Sequence, residues 1–385
     1  MNRAPGIMNS DINKMKTRKG GIEQVKYSLT AFFLLQGEKN RDPAGHGIRF
    51  VVFLCAMFIH LAAVSMMQVG SAAAAMPDYV RLAPVTEAMT GPVGVALDQE
   101  GCLYVAEKSS DKVVVLSQNG RYMATLAGLD TPISVAVDGS GRILAGSEDK
   151  GFVEVYAPDF TPLFKLGLGD GEFSWPTDIS VDSSGRIYVV DRGDDKLKIY
   201  DSSGGYLGSI GSSGNGQGEF YRPVAMTIDE GAGEIIVLDR QLIAGTTQQG
   251  ARVQYFSMDG TYLRGFSRNG TDAGGMVTPQ GITVDSESRI YVTDSYQNAV
   301  MVYDNDNAST FLGAIYDNVN PLRVPLGVTI DGTNRLYIAS RMGYCVDVYG
   351  IDHYIKMGVD PVKLHFSAKQ WGANPVSQTI SVNNS

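Results

Sequence analysis

Few side chains in this sequence are suited to catalysis, and their positions restrict the chemistry. The four histidines are His46, His60, His353 and His365, so none lies between residues 61 and 352. The three cysteines, Cys55, Cys102 and Cys345, form no Cys-x-x-Cys pair, and neither a zinc framework nor a redox dithiol is written here. Asp138-Gly-Ser-Gly141, Asp182-Ser-Ser-Gly185 and Asp304-Asn-Asp-Asn307 look like fragments of calcium loops. The same residue types form tight turns for backbone reasons, and that is the reading preferred for all three. The glycine-rich stretch from Gly211 to Gly218 lacks the Gly-Lys-[Ser/Thr] ending of a phosphate cradle, so it reads as a linker. What remains is recognition chemistry. Lys108, Arg192, Arg222, Arg240 and Arg341, with Trp175, Tyr221 and Tyr296, are of the types that anchor protein and peptide interfaces.

The elements that position these residues are repeats. Six copies open on a proline and run to an aspartate: Pro92 to Asp98, Pro132 to Asp138, Pro176 to Asp182, Pro223 to Asp229, Pro279 to Asp285 and Pro325 to Asp331. The prolines are 40, 44, 47, 56 and 46 residues apart. In the third copy Thr177 to Asp182 alternates apolar and polar, Ser183-Ser-Gly185 turns, and Arg186 to Asp191 alternates again. Arg192-Gly-Asp-Asp195 then leads to Lys196 to Tyr200, and a further turn leads to Tyr206 to Ile210. That is a four-stranded antiparallel meander, and a period of this length filled with strands predicts propeller blades. The prediction is an all-β, six-bladed β-propeller over residues 79–358. Tyr79 to Val85 is the candidate closing strand, although a strand near His353–Met357 competes for that place.

The wording Pro-x-Gly-[VI]-[AT]-[VIL]-Asp, then Arg-[IL]-Tyr-[VI]-x-Asp, then Val-x-Val-Tyr resembles the NHL repeat. So do the linkers Gly167 to Phe173 and Gly211 to Phe220 before the next proline. The second copy departs from the pattern at Arg142 to Ser147, and the fourth at Glu234-Ile-Ile. The resemblance implies a six-bladed propeller that serves mostly as a binding platform. Loops between second and third strands, with the blade linkers, emerge on one face of that fold. Lys108, Arg192, Arg240, Tyr296 and Arg341 fall in the loops, and Trp175, Tyr221 and Arg222 in the linkers. Phe173 and Phe220 stand at the repeat's own packing position and are assigned to the core. Blade four carries two insertions, Arg240 to Ala251 and Ser267 to Thr278, which extend the same face. Six-bladed propellers also include lactonases and amidating lyases, which work with metals or histidines at the channel mouth. Here the residues that approach the channel are Gly94, Ser134, Asp178, Ala225, Gly281 and Gly327, of which only Asp178 is a carboxylate. No catalytic residue, metal or cofactor is therefore assigned. The preferred reading is a non-catalytic module binding a protein, peptide or glycan; the alternative is a propeller-type hydrolase or lyase.

Charge and the termini set the context. The net charge is −9. Residues 1–75 carry nine Lys/Arg against four Asp/Glu, and the remaining 310 residues carry 23 against 37. A folded part at −14 repels phosphate backbones, so nucleic acid is not an expected partner. Residues 50–69 hold no acid, Lys or Arg, follow a basic leader and precede an Ala cluster ending at Ala75. This predicts a signal peptide or signal anchor, with the propeller periplasmic, extracellular or tethered outside the cytoplasm. Residues 359–385 break the period and resemble the first strands of a BACON-like immunoglobulin-type sandwich, truncated far short of the ~100 residues such a domain needs. A monomer is expected, and a Cys102–Cys345 disulfide between first and last blades is left open.

Overall fold

The computed structural model describes residues 75–352 apart from 88, 170, 243–248 and 306–308. The basic leader, the 50–69 segment, the strand sought near His353 and the 359–385 tail lie outside the described residues. Six four-stranded antiparallel sheets follow one another along the chain, as the repeat predicts. The first blade is built from Pro92–Leu97, Leu103–Glu107, Lys112–Leu116 and Tyr122–Ala127, and the next four repeat this order. The sixth contributes Pro325–Ile330, Arg335–Ser340 and Cys345–Ile351, and takes its outermost strand from Tyr79–Arg81. Tyr79 pairs with Ile351 and Arg81 with Tyr349. Farther along, the Leu82 amide donates to the Val348 carbonyl at 2.8 Å, and Val85 bridges Val346. The Arg81 guanidinium seals the seam on the carboxylate of Asp347. The ring is thus closed by a strand from the opposite end of the propeller sequence.

Strand alternation explains where the core lies. Successive side chains of a strand point to opposite faces, so each second strand feeds two different interfaces. Leu103 and Val105 pack against Tyr337, Ala339, Val346 and Val348 of the sixth blade. Tyr104 and Ala106, from the same strand, pack against Val135, Ile143 and Ala145 of the second. The buried apolar residues therefore divide into six clusters, one per blade interface. Phe173 and Phe220 sit in two of them, as assigned.

The repeat's most legible residues hold its first hairpin. Asp182 Oδ1 accepts the amides of Ser184 and Arg186, both at 2.9 Å, and its Oδ2 accepts the Tyr188 hydroxyl at 3.0 Å. Asp285 accepts the amides of Glu287 and Arg289, the Tyr291 hydroxyl at 2.8 Å and Arg289 Nε at 2.7 Å. Asp331 repeats this arrangement with Thr333, Arg335 and Tyr337. Asp138 and Asp182, singled out for their likeness to calcium loops, spend their carboxylates on turns of this kind.

The disulfide left open by the sequence is absent between the first and last blades. Cys102 and Cys345 are both free. They belong to adjacent blades, but Cys102 follows a first hairpin while Cys345 follows a second-to-third strand loop, at the opposite end of the sheet. The Cys345 thiol instead faces Asp347 at 3.7 Å, and burial together with that carboxylate pushes it up to about 12.

The first strands converge at the axis, and glycine permits it. A Cβ on Gly281 would lie 2.6 Å from the Leu326 carbonyl oxygen of the next blade, and one on Gly327 would lie 2.8 Å from that of Val93. Gly281→Val should therefore lower stability by about 1–3 kcal/mol through overpacking against backbone. Gly332→Ala, where nothing lies within 4 Å, should leave the thermal midpoint nearly unchanged. Melting curves followed by circular dichroism check both.

Candidate functional site: a channel and its cationic mouth

Each blade proline pairs with a residue of its second strand, the last one in every blade but the fourth, and the register then shifts by one. This bulge turns the residue two places after the proline to the axis. Gly94, Ser134, Asp178, Ala225, Gly281 and Gly327 accordingly line one channel of about 530 Å³, as expected. Asp178 is its distinctive group. The Ser134 hydroxyl donates to Oδ1 at 2.9 Å, and the Met226 amide donates to Oδ2 at 2.9 Å. One carboxylate thus ties the second, third and fourth blades together. Burial outweighs those donors and raises its pKa to about 6.

The mouth is set by the residue that follows each blade proline's partner on the second strand. In blade order these are Lys108, Glu148, Arg192, Arg240, Ser295 and Arg341: four cations, one acid and one serine. Lys108, Arg192, Ser295 and Arg341 line the channel itself. Glu148 organises the rim between the first and third blades. It pairs with Lys108 and accepts the indole N–H of Trp175. The Arg192 guanidinium lies over the Trp175 ring, 4.9 Å from its centroid, and the Arg192 amide donates to the Trp175 carbonyl at 2.9 Å. Arg222 lies 5.6 Å from the centroid of Tyr221, whose backbone pairs with that of Arg240. Burial lowers the Arg192 pKa, and Arg222 adds repulsion that Glu148 partly offsets. Arg240 is lowered by burial and then by Arg192 and Arg222.

A further device fixes the linkers. Asp111, Asp195 and Asn298, just before their third strands, have φ near +50°. Each accepts the amide of the residue preceding the next blade's proline: Thr131 at 2.9 Å, Arg222 at 2.7 Å and Val324 at 2.9 Å. Those three donor residues also have positive φ, a conformation costly for a β-branched residue such as Val324. The side-chain latch offsets that cost and aims Arg222.

Of the residues selected from sequence, Trp175, Arg192, Tyr221, Arg222 and Arg240 come together across the third and fourth blades. Arg341 lines the channel from blade six, and Asp178 lies within it. Tyr296 is displaced by one position: Ser295 occupies the ring, and Tyr296 stands outside it, 66% exposed. The described ends of the blade-four insertion extend its second and third strands, with Arg240 paired to Ala251 and Leu242 to Gln249, so Arg240 is a strand residue. Glu148 was missed, although its place in the repeat register is the signal that finds it. Among the described residues, no group of three His, Cys, Asp or Glu is arranged to hold a metal ion.

Comparison with known proteins agrees with this architecture. Residues 165–244 match a family model described as a 6-bladed beta-propeller. The chain is 26% identical over 140 residues to Protein brain tumor of Drosophila melanogaster, covering 36% of this chain and 12% of that one. It is 28% identical over 134 residues to NHL repeat-containing protein 3 of Mus musculus, covering 32% and 37%. The chain thus spans well under half the length of these relatives. Among solved structures, a streptogramin B lyase superposes with a TM-score of 0.51 at 13% identity, covering 71% of this chain and 98% of that one. A gluconolactonase from Xanthomonas campestris superposes with a TM-score of 0.54 at 17% identity, covering 74% and 99%. At such identities the likeness is one of fold. The chain is a six-bladed β-propeller with NHL-repeat relatives.

The channel carboxylate has a pH signature. A folded pKa near 6, above the ordinary carboxylate value, means the fold binds this proton more tightly than the unfolded chain does. Stability should rise as pH falls from about 7 to about 5, by on the order of 1–3 kcal/mol. Below about pH 4 it should fall, because Asp138, Asp182 and Asp331 are held below their ordinary value and lose their turn bonds on protonation. Asp178→Asn should flatten the rise between pH 7 and 5 while keeping the low-pH fall. Asp239, raised by burial to about 6 despite its Arg252 partner, supplies the remaining slope.

Proposed function

We propose that this propeller is a non-catalytic binding or scaffold module that meets a protein, peptide or glycan on its loop face. The observation that carries this reading is the convergence of Trp175, Arg192, Tyr221, Arg222 and Arg240 beside the channel mouth, with Trp175 42% exposed. An aromatic ring under a guanidinium presents apolar area and fixed donors together, the usual makings of an interface anchor. Tyr296 and Arg341 continue the surface around the ring. The likeness to the NHL repeat, shared with NHL repeat-containing protein 3, fits a recognition role. We place the module outside the cytoplasm, exported or held by residues 50–69, on the strength of the basic, apolar and small-residue order of the N-terminal sequence. A partner pull-down from cell-envelope extracts tests the face. Trp175→Ala/Tyr221→Ala should reduce recovery of a specific partner severalfold, and equal recovery of every partner would remove the assignment.

A propeller hydrolase or lyase is the second reading. It is favoured by a buried channel carboxylate with its pKa raised to about 6, in a fold that a lyase and a gluconolactonase share. Metal analysis and melting with and without calcium separate the two readings. Stoichiometric metal and a calcium-dependent midpoint that Asp178→Asn abolishes would favour the enzyme; the binding module should show neither.

A further inference from the structure

The mouth inverts the charge of the molecule around it. Residues 76–385 carry 37 acids against 23 Lys/Arg, yet four of the six positions ringing the channel are cations. Arg222 adds a fifth cation beside them, its backbone fixed by Asp195. Among the described residues, neither Arg192 nor Arg222 forms an ion pair; each instead lies over an aromatic ring. Arg192 Nε is buried without a hydrogen-bond partner. Holding several guanidiniums together, partly desolvated, costs free energy that a purely structural surface has no reason to spend. Stacking on Trp175 and Tyr221 restrains two of these forks from one side, leaving their edges for the planar, bidentate contacts that guanidinium makes with an oxyanion.

The surroundings limit which oxyanion fits. Glu148 lies within the ring, and the wider surface is acidic, so a long polyanion would be repelled wherever it left the mouth. Exposed Trp175, Tyr296, Met342 and Tyr344 supply apolar contacts on the same face. A compact anionic group on a chain with apolar side chains satisfies both conditions. We infer that the cationic mouth formed by Arg192, Arg222 and Arg240 is a receptor for the carboxylate of an acidic peptide, bound over the channel. This rests on the reading of the loop face as a recognition surface and specifies what that surface recognises. The carboxylate belongs either to a Glu or Asp side chain or to a peptide C-terminus.

Fluorescence anisotropy on the full chain tests the inference with a labelled hexapeptide containing three glutamates and two aromatic residues. It is prepared with a free and with an amidated C-terminus, alongside a glutamine counterpart and a single-stranded oligonucleotide of equal charge. Saturable binding of the acidic peptide, weakened by salt and absent for the glutamine version with an amidated C-terminus, is expected. Arg192→Gln and Arg222→Gln should each weaken it roughly tenfold. Arg192→Lys should restore part of the loss, and Arg121→Gln, on a remote hairpin, should change nothing. Loss of binding on amidation assigns the site to a C-terminus; indifference assigns it to side chains. Three results overturn the inference: no saturable binding of either acidic peptide, binding unaffected by the arginine variants, or an oligonucleotide held as tightly through the same arginines. Circular dichroism of each variant separates lost binding from lost folding, and Arg192→Lys provides the comparison if a Gln variant unfolds. Failure here with partner recovery still dependent on Trp175 and Tyr221 would remove the carboxylate receptor and leave the binding face intact.

Discussion

The packing of each blade against its neighbours is the constraint on which the rest of the molecule depends. A four-stranded sheet whose central strand is buried on both faces has no core of its own. Its alternate residues are divided between two interfaces, and the arrangement is complete only when the last interface forms. That is why Tyr79–Arg81 must cross to the sixth blade, and why Arg81 joins Asp347 at the seam. At the axis the same demand becomes one of space. Glycine lets the first strands of the fifth, sixth and first blades approach almost to backbone contact. The second, third and fourth blades are joined instead by a hydrogen-bonded chain from Ser134 through Asp178 to Met226.

This division of labour explains why the most recognisable residues say little about function. The aspartate, arginine and tyrosine that make the fifth and sixth repeats legible are engaged with one another in a hairpin. Their carboxylates, guanidiniums and hydroxyls are committed to local geometry. Variation is freer at the residue that follows each blade proline's partner on the second strand, where the chain reaches the mouth. Lys108, Glu148, Arg192, Arg240, Ser295 and Arg341 occupy that one position with four different residue types. The individual character of this propeller is therefore concentrated at its rim.

The likeness to lyase and lactonase propellers follows from the same physics. Closing six twisted sheets into a ring creates an axial channel whatever residues line it, and function is grafted onto that scaffold site by site. In this chain the lining is small and mostly uncharged, with Asp178 as the exception among the six axial positions. The polar chemistry is displaced outward to the mouth, where aromatic rings support guanidiniums.

Alternation, turn residues and proline spacing determined the number of blades, the strand order, the burial of Phe173 and Phe220, and the six axial positions. Those features depend on local periods of two residues and on one regular repeat, which a linear sequence records directly. Three matters were decided only by the tertiary structure. Ser295 rather than Tyr296 takes the ring position, because register fixes direction to within a single residue. The described ends of the blade-four insertion are paired strand, since their Arg240–Ala251 register forms only once the sheet exists. Cys102 and Cys345 sit at opposite ends of their sheets, although their blades adjoin. The clustering of Arg192, Arg222 and Arg240, like the part played by Glu148, joins residues from different repeats across a closed ring. No period within the sequence encodes that proximity; ring closure creates it.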